Sequence, residues 1–151
     1  MHFGFDEKTT ALLEQVSGFM DEHVYPAEAA LQEQLARRER EDDWTIPEAI
    51  TEVREKGKAA GLWNFFLPGE HAEYNGAGLT NLQYAPIAEL TGRSIQLAPQ
   101  AFNCAAPDTG NMEVLHVCGT PEQKEKYLGP LMEGQIRSAF AMTEPDVASS
   151  D

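Results

Sequence analysis

The chain has 151 residues, a length that suits one domain rather than two. Its 42% apolar and 24% charged residues are globular proportions, which exclude a disordered or collagen-like chain. Because 25 acidic residues outnumber 11 basic ones, the formal net charge is −14, and no nucleic-acid partner is expected. The sequence shows neither a signal peptide nor the roughly 18 apolar residues of a membrane span, so it predicts a soluble intracellular protein. Cys104 and Cys118 are too few for a disulfide framework and are expected to be free thiols.

The first 60 residues are predicted to form three helices. Apolar residues recur at helical spacing over residues 7–24, and Pro26 is expected to end this helix. A charged stretch with a thin apolar stripe follows and predicts a second helix that ends near Arg40. The run Thr45-Ile46-Pro47-Glu48 resembles a capping box, which predicts a third helix to about Ala60.

An aromatic run bounded by glycines follows the third helix. Residues 61–69 are compatible with a short strand or a buried loop. Trp63, Phe65 and Phe66 within it are interpreted as core residues, with a ligand-pocket lining as the less favoured alternative. Residues 69–79, which are rich in glycine, are predicted to form a loop.

Three start signals predict further helices. Thr80 and Gln83 form a capping-box pattern, and so do Thr120 and Gln123, where Pro121 stands at the first helical position. Asp108 is the expected cap of a helix between them. The fold class predicted from these helices is all-α. Residues 136–143 resemble a strand, which predicts the first strand of another domain at the end of the chain.

Metal and nucleotide motifs are weak in this sequence. Glu113 and His116 have the Glu-x-x-His spacing of di-iron helical bundles, but such a site requires two of these pairs and only one is present. A structural histidine is therefore favoured, and no metal site is predicted. The cysteines lack zinc-site spacing, and Gly76-Ala77-Gly78 is only a weak likeness of a nucleotide-binding loop.

The C-terminal run from Phe140 to Asp151 is dense in hydroxyl groups and backbone donors. Thr143, Ser149 and Ser150 could donate hydrogen bonds to a planar heterocycle or a phosphate. On residue chemistry alone, an ordinary surface turn is the favoured alternative.

Several runs, taken together, resemble acyl-CoA dehydrogenases. Residues 141–145 and Ser150-Asp151 resemble the flavin-loop signature of that family. Residues 119–134 resemble its last N-terminal helix, and residues 73–82 its Gly-rich loop and the helix that follows. The run 103–111 resembles the branch found in large multidomain acyl-CoA dehydrogenases.

The resemblance implies an N-terminal helical domain over residues 1–136 and the truncated start of a middle β domain over 137–151. It implies non-covalently bound FAD and α,β-dehydrogenation of acyl-CoA thioesters to trans-2-enoyl-CoA in fatty-acid oxidation. Phe140, Met142 and Thr143 are then expected to lie along the flavin. Ser149 and Ser150 are expected to bind flavin or substrate groups, with the alignment between the two left open because the loop is one residue longer than usual.

The resemblance also places the catalytic carboxylate outside this chain, so the chain alone is expected to be inactive. The implied partners are acyl-CoA, an electron-transfer flavoprotein or similar acceptor, and further copies in a dimer or tetramer of the complete protein. The implied compartment is the bacterial cytoplasm, or the mitochondrion or peroxisome of a eukaryote. A non-catalytic helical binding module derived from this domain is the alternative function.

Overall fold

The computed structural model describes residues 4–67 and 77–146. The α-helices are α1 (Glu7–Phe19), α2 (Glu28–Glu41), α3 (Glu48–Ala59), α4 (Asn81–Thr91), α5 (Ala98–Ala101), α6 (Asp108–Cys118), α7 (Pro121–Gln123) and α8 (Gly129–Met132). Two π-helical turns (Met20–Val24, Lys124–Leu128) and a 3₁₀ turn (Tyr25–Ala27) lie between them. The all-α class is confirmed, and no helix in the described ranges is long and apolar enough to cross a bilayer.

The chain divides into two compact units. The first unit, Met1–Cys104, contains α1 to α5, and the second unit, Ala105–Asp151, contains α6 to α8. The domain boundary predicted between residues 136 and 137 stays a prediction.

The core of the first unit is apolar. Helix α1 packs against α4, and α3 packs against α5. The core residues include Val16, Phe19, Met20, Val24, Leu31, Val53, Leu62, Ile87, Leu97 and Phe102. Gly57 makes the α3–α5 contact possible, because a β-carbon at this position would collide with the backbone carbonyl of Ala101. Helix α3 therefore approaches α5 more closely than any larger residue would permit.

Pro26 does not end the first helix as predicted. Helix α1 ends at Phe19, and the chain stays helical through the π and 3₁₀ turns into α2. Proline is tolerated because it stands in the first turn of a short 3₁₀ segment, where its missing N–H costs little.

The capping box predicted at the start of α3 is also wrong. The Thr45 amide and hydroxyl both donate to the Asp43 carboxylate, each over 2.9 Å, so Thr45 is not available to the helix. The position before α3 is Pro47, which has no side-chain cap. The Ala49 N–H donates instead to Gln34 Oε1 over 3.0 Å, so a side chain of α2 supplies the missing acceptor.

The aromatic run after α3 forms a buried turn rather than a strand. Trp63, Phe65 and Phe66 are all buried, which confirms their interpretation as core residues. Within this turn Asn64 has a left-handed backbone and accepts a 2.7 Å hydrogen bond from the side chain of Asn103, which is left-handed too. Asparagine tolerates this conformation better than other side chains, so the pair fixes two tight turns in the core.

The second unit has a smaller core, in which Met112, Leu128, Leu131 and Met132 are buried. The capping box at Thr120 and Gln123 is present as predicted. The strand predicted over residues 136–143 is not formed, since residues 137–144 carry no regular secondary structure. A strand requires a ladder of backbone hydrogen bonds to a neighbouring strand, and within the described residues this segment is not part of such a ladder.

Candidate functional site

The candidate site is the C-terminal segment, defined here as residues 139–146. All of its side chains are exposed, including Thr143, and the exposed fractions of Phe140 and Met142 are 62% and 71%. Within the described ranges, no group accepts a hydrogen bond from the backbone N–H of Phe140 or Met142. The segment therefore offers an aromatic ring, a thioether and backbone donors to a ligand. Ser149 and Ser150, the other predicted site residues, lie outside the described residues.

A buried carboxylate fixes the chain just before this segment. The Ser138 N–H and hydroxyl each donate to Asp108 Oδ1 over 2.7 Å, and Arg137 Nε donates to Asp108 Oδ2 over 2.8 Å. Asn111 Nδ2 donates to the Ser138 hydroxyl oxygen over 2.8 Å. We call these four residues the Asp108 cluster. It attaches the start of the C-terminal segment to the first turn of α6.

The role of Asp108 differs from the prediction. Pro107 occupies the N-cap position of α6 and makes no side-chain cap, while the Asp108 carboxylate bonds residues 29 and 30 positions further along the chain. Local capping signals carry no information on such distant partners, so the sequence analysis missed the cluster. The run 103–111, which contains Asp108, was distinctive in the sequence, but this did not identify Ser138 and Arg137 as its partners.

The titratable pair Tyr84 and Cys104 belongs to the first unit. Burial raises the pKa of the Tyr84 hydroxyl, and burial also raises the pKa of the Cys104 thiol. Both groups therefore stay protonated at neutral pH, and Cys104 is not a thiolate nucleophile.

Two other kinds of site were considered from the sequence, a metal site and a nucleotide-binding loop. In residues 4–67 and 77–146, no three His, Cys, Asp or Glu side chains are grouped so that they could hold a metal ion. Glu113 and His116 therefore have no further ligands there for a di-iron centre. The Gly-rich run up to Gly76 lies outside the described residues.

Comparison with known proteins identifies the family. A family model described as "Acyl-CoA dehydrogenase, N-terminal domain" matches residues 6–135. The chain belongs to the acyl-CoA dehydrogenase family. It is 51% identical over 151 residues to FadE2 of Mycobacterium tuberculosis, a probable acyl-CoA dehydrogenase, and the match covers 100% of this chain and 35% of that protein. It is 51% identical over 145 residues to acyl-CoA dehydrogenase family member 11 of Gallus gallus, covering 95% of this chain and 18% of that protein.

A solved structure agrees with this assignment. The structure of a proposed acyl-CoA dehydrogenase from Mycobacterium abscessus has a TM-score of 0.84 and 50% sequence identity, and it covers 99% of this chain and 37% of that one. The family resemblance inferred from the motifs is thus confirmed. This chain spans 35% of the length of the Mycobacterium tuberculosis relative and 37% of the length of the Mycobacterium abscessus one.

Proposed function

We propose that this chain is the N-terminal part of an FAD-dependent acyl-CoA dehydrogenase that converts acyl-CoA thioesters to trans-2-enoyl-CoA in fatty-acid oxidation. The observation that carries the proposal is the 51% identity over the whole chain to a probable acyl-CoA dehydrogenase. The exposed C-terminal segment supports it, because this segment bears the residues that the family motif assigns to the flavin.

The side chains of the C-terminal segment suit the flavin ring. An isoalloxazine is flat and apolar on its faces and carries hydrogen-bond acceptors on its edge. Phe140 and Met142 offer exposed apolar surface for such a face, and the Met142 N–H is a donor for its edge. The Thr143 hydroxyl is proposed as a further hydrogen-bond donor to the ring. When FAD is bound, it supplies the capacity to accept a hydride from the β-carbon of the substrate.

These residues would orient the cofactor and tune its electronics rather than move a proton. A backbone donor at the ring edge stabilises negative charge that develops there on reduction. Exposed apolar side chains against a ring face exclude water from it. The proton-abstracting carboxylate is proposed to lie outside residues 1–151, as are the groups that contact the acceptor flavoprotein and further subunits.

Turnover by the full-length protein tests the proposal. Purified protein supplied with FAD, an acyl-CoA and an electron-accepting dye is expected to form trans-2-enoyl-CoA, detected by mass spectrometry. The control omits the acyl-CoA. Formation of no enoyl product across short, medium, long and branched acyl chains would contradict the proposal and favour the non-catalytic binding module.

Thr143→Val tests the assigned donor at nearly constant side-chain volume. We expect weaker FAD retention or slower flavin reduction, by a few-fold to about tenfold, because one hydrogen bond contributes about 0.5–1.5 kcal/mol. Thr143→Ser keeps the hydroxyl and is the matched control. FAD affinity and reduction rate that equal those of the unsubstituted protein would defeat the assignment of Thr143.

A further inference from the structure

The Asp108 carboxylate is more deeply buried than its position predicts. It stands at the first residue of α6, yet only 2% of Asp108 is exposed. A charged group withdrawn from water is stable only if it is paired and hydrogen-bonded. Two donors of Ser138 and one of Arg137 meet this need, at 2.7–2.8 Å. Such short charge-assisted bonds are among the strongest in proteins and define one geometry.

All three donors belong to two consecutive residues, and one of them is a backbone N–H. The bond from Ser138 N–H to Asp108 Oδ1 fixes the main chain rather than only a side chain. Phe140 and Met142 follow two and four residues later, in a segment whose side chains are exposed. The segment continues directly from Ser138, so the position of the Ser138 main chain sets where the segment begins.

A second side chain in the first turn of α6 reinforces this attachment. Asn111 Nδ2 donates to the Ser138 hydroxyl oxygen, which orients that hydroxyl towards Asp108. Gly110 lies close to Phe140, since a β-carbon at residue 110 would stand 3.9 Å from Phe140 Cζ. Helix α6 thus contacts the anchor residue Ser138 and lies near the aromatic ring of Phe140.

We propose that Asp108 is a positioning residue for the flavin-binding segment. Through Ser138 and Arg137 it sets the main-chain path that carries Phe140, Met142 and Thr143 to the ring. The inference rests on the proposed function, since it assumes that the segment binds FAD. A solely structural ion pair would affect stability, whereas a positioning residue also affects the environment of the bound flavin.

The test compares Asp108→Asn, Ser138→Ala and Ser138→Thr in the full-length protein. The readouts are the dissociation constant for FAD and the visible absorption spectrum of the bound flavin. Asp108→Asn keeps one acceptor but removes the charge that Arg137 faces. We expect its FAD dissociation constant to rise about tenfold or more, the effect of losing a charge-assisted hydrogen bond, with a shifted flavin spectrum.

The two serine variants separate the hydroxyl from general damage to the fold. Ser138→Ala removes one donor to Asp108 and the acceptor for Asn111, so we expect a smaller rise in the same direction. Ser138→Thr keeps the hydroxyl and the N–H, and it is expected to behave as the unsubstituted protein does. Asp43→Asn is the control, because the Asp43 carboxylate also accepts from the amide and hydroxyl of one residue, Thr45, but belongs to the first unit.

Each outcome is decisive. FAD affinity and a flavin spectrum that do not change in Asp108→Asn and Ser138→Ala overturn the positioning role while leaving the proposed function intact. If the unsubstituted protein binds no FAD, the proposed function fails and the inference falls with it. Should Asp108→Asn not fold, Ser138→Ala decides: a shifted flavin spectrum supports the inference, and an unshifted one overturns it.

Discussion

The first unit, Met1–Cys104, and the second, Ala105–Asp151, differ in what fixes the chain. In the first unit, long helices bury a continuous apolar core, and exposed hydrogen bonds such as those of Asp6 lie at helix ends. In the second unit the helices are short apart from α6, and a buried carboxylate holds an exposed segment. Apolar packing therefore builds the scaffold of this chain, whereas polar bonds place the candidate functional residues.

The largest effect on stability is expected at the close α3–α5 contact. In Gly57→Ala the added β-carbon meets the backbone carbonyl of Ala101, which cannot move like a flexible side chain. We expect a loss of about 2–4 kcal/mol in the free energy of unfolding, measured by urea denaturation. The matched control is Gly18→Ala in α1, where a β-carbon meets nothing within 4 Å. It should stabilise the protein by about 0.5–1 kcal/mol, and equal losses in both variants would contradict the packing account.

A smaller effect is expected at the two capping boxes, one in each unit. Thr80→Ala and Thr120→Ala each remove the hydroxyl that accepts from the glutamine N–H three residues on. Each should lower the free energy of unfolding by about 1 kcal/mol, and Thr→Ser at the same positions should restore most of it. The capping box is a local motif, so the two losses in the free energy of unfolding should be similar. A loss in one unit several times larger than in the other would contradict this expectation.

The smallest effect is expected at Asp6, an exposed counterpart of buried Asp108. Asp6 accepts from Thr9 N–H and from Gln83 Nε2, each over 2.7 Å. Hydrogen bonds from Thr9 lower the pKa of the Asp6 carboxyl, and so does the bond from Gln83. A lowered folded-state pKa stabilises the protein above the unfolded pKa of about 4, and this contribution is lost as the pH falls through the folded value.

Asp6→Asn should therefore lower Tm slightly at neutral pH, with the difference from the unsubstituted protein shrinking below about pH 4. The effect is small because asparagine also caps helices well. Asp21→Asn, at an exposed position in the first π-helical turn, is the control. A Tm difference for Asp6→Asn that stays constant down to low pH would contradict the linkage.

Local signals made much of the fold predictable. The capping boxes at Thr80 and Thr120 form as predicted because both partners lie within one helical turn. The buried aromatic run was predicted because large apolar side chains between turn residues favour the core. Prediction failed where a distant or competing partner decides: Asp43 binds Thr45, and Ser138 and Arg137 bind Asp108.

The residues of the candidate site could be predicted from the sequence, but the contacts that hold them in place could not. Phe140, Met142 and Thr143 were found through a motif, and the structure shows that they share one exposed segment. The Asp108 cluster could not be found, because contacts across 27–30 positions depend on how α6 and the segment pack. A strand over 136–143 was predicted from alternating residues, but alternation does not supply the neighbouring strand that pairing requires.

Anaerobic titration of the full-length protein with acyl-CoA tests the central claim most directly. The account predicts that the purified protein holds FAD, and that a dehydrogenation substrate bleaches the oxidised flavin absorbance while an equal amount of trans-2-enoyl-CoA forms. Protein that binds no FAD, or bound flavin that no acyl-CoA bleaches, would contradict it.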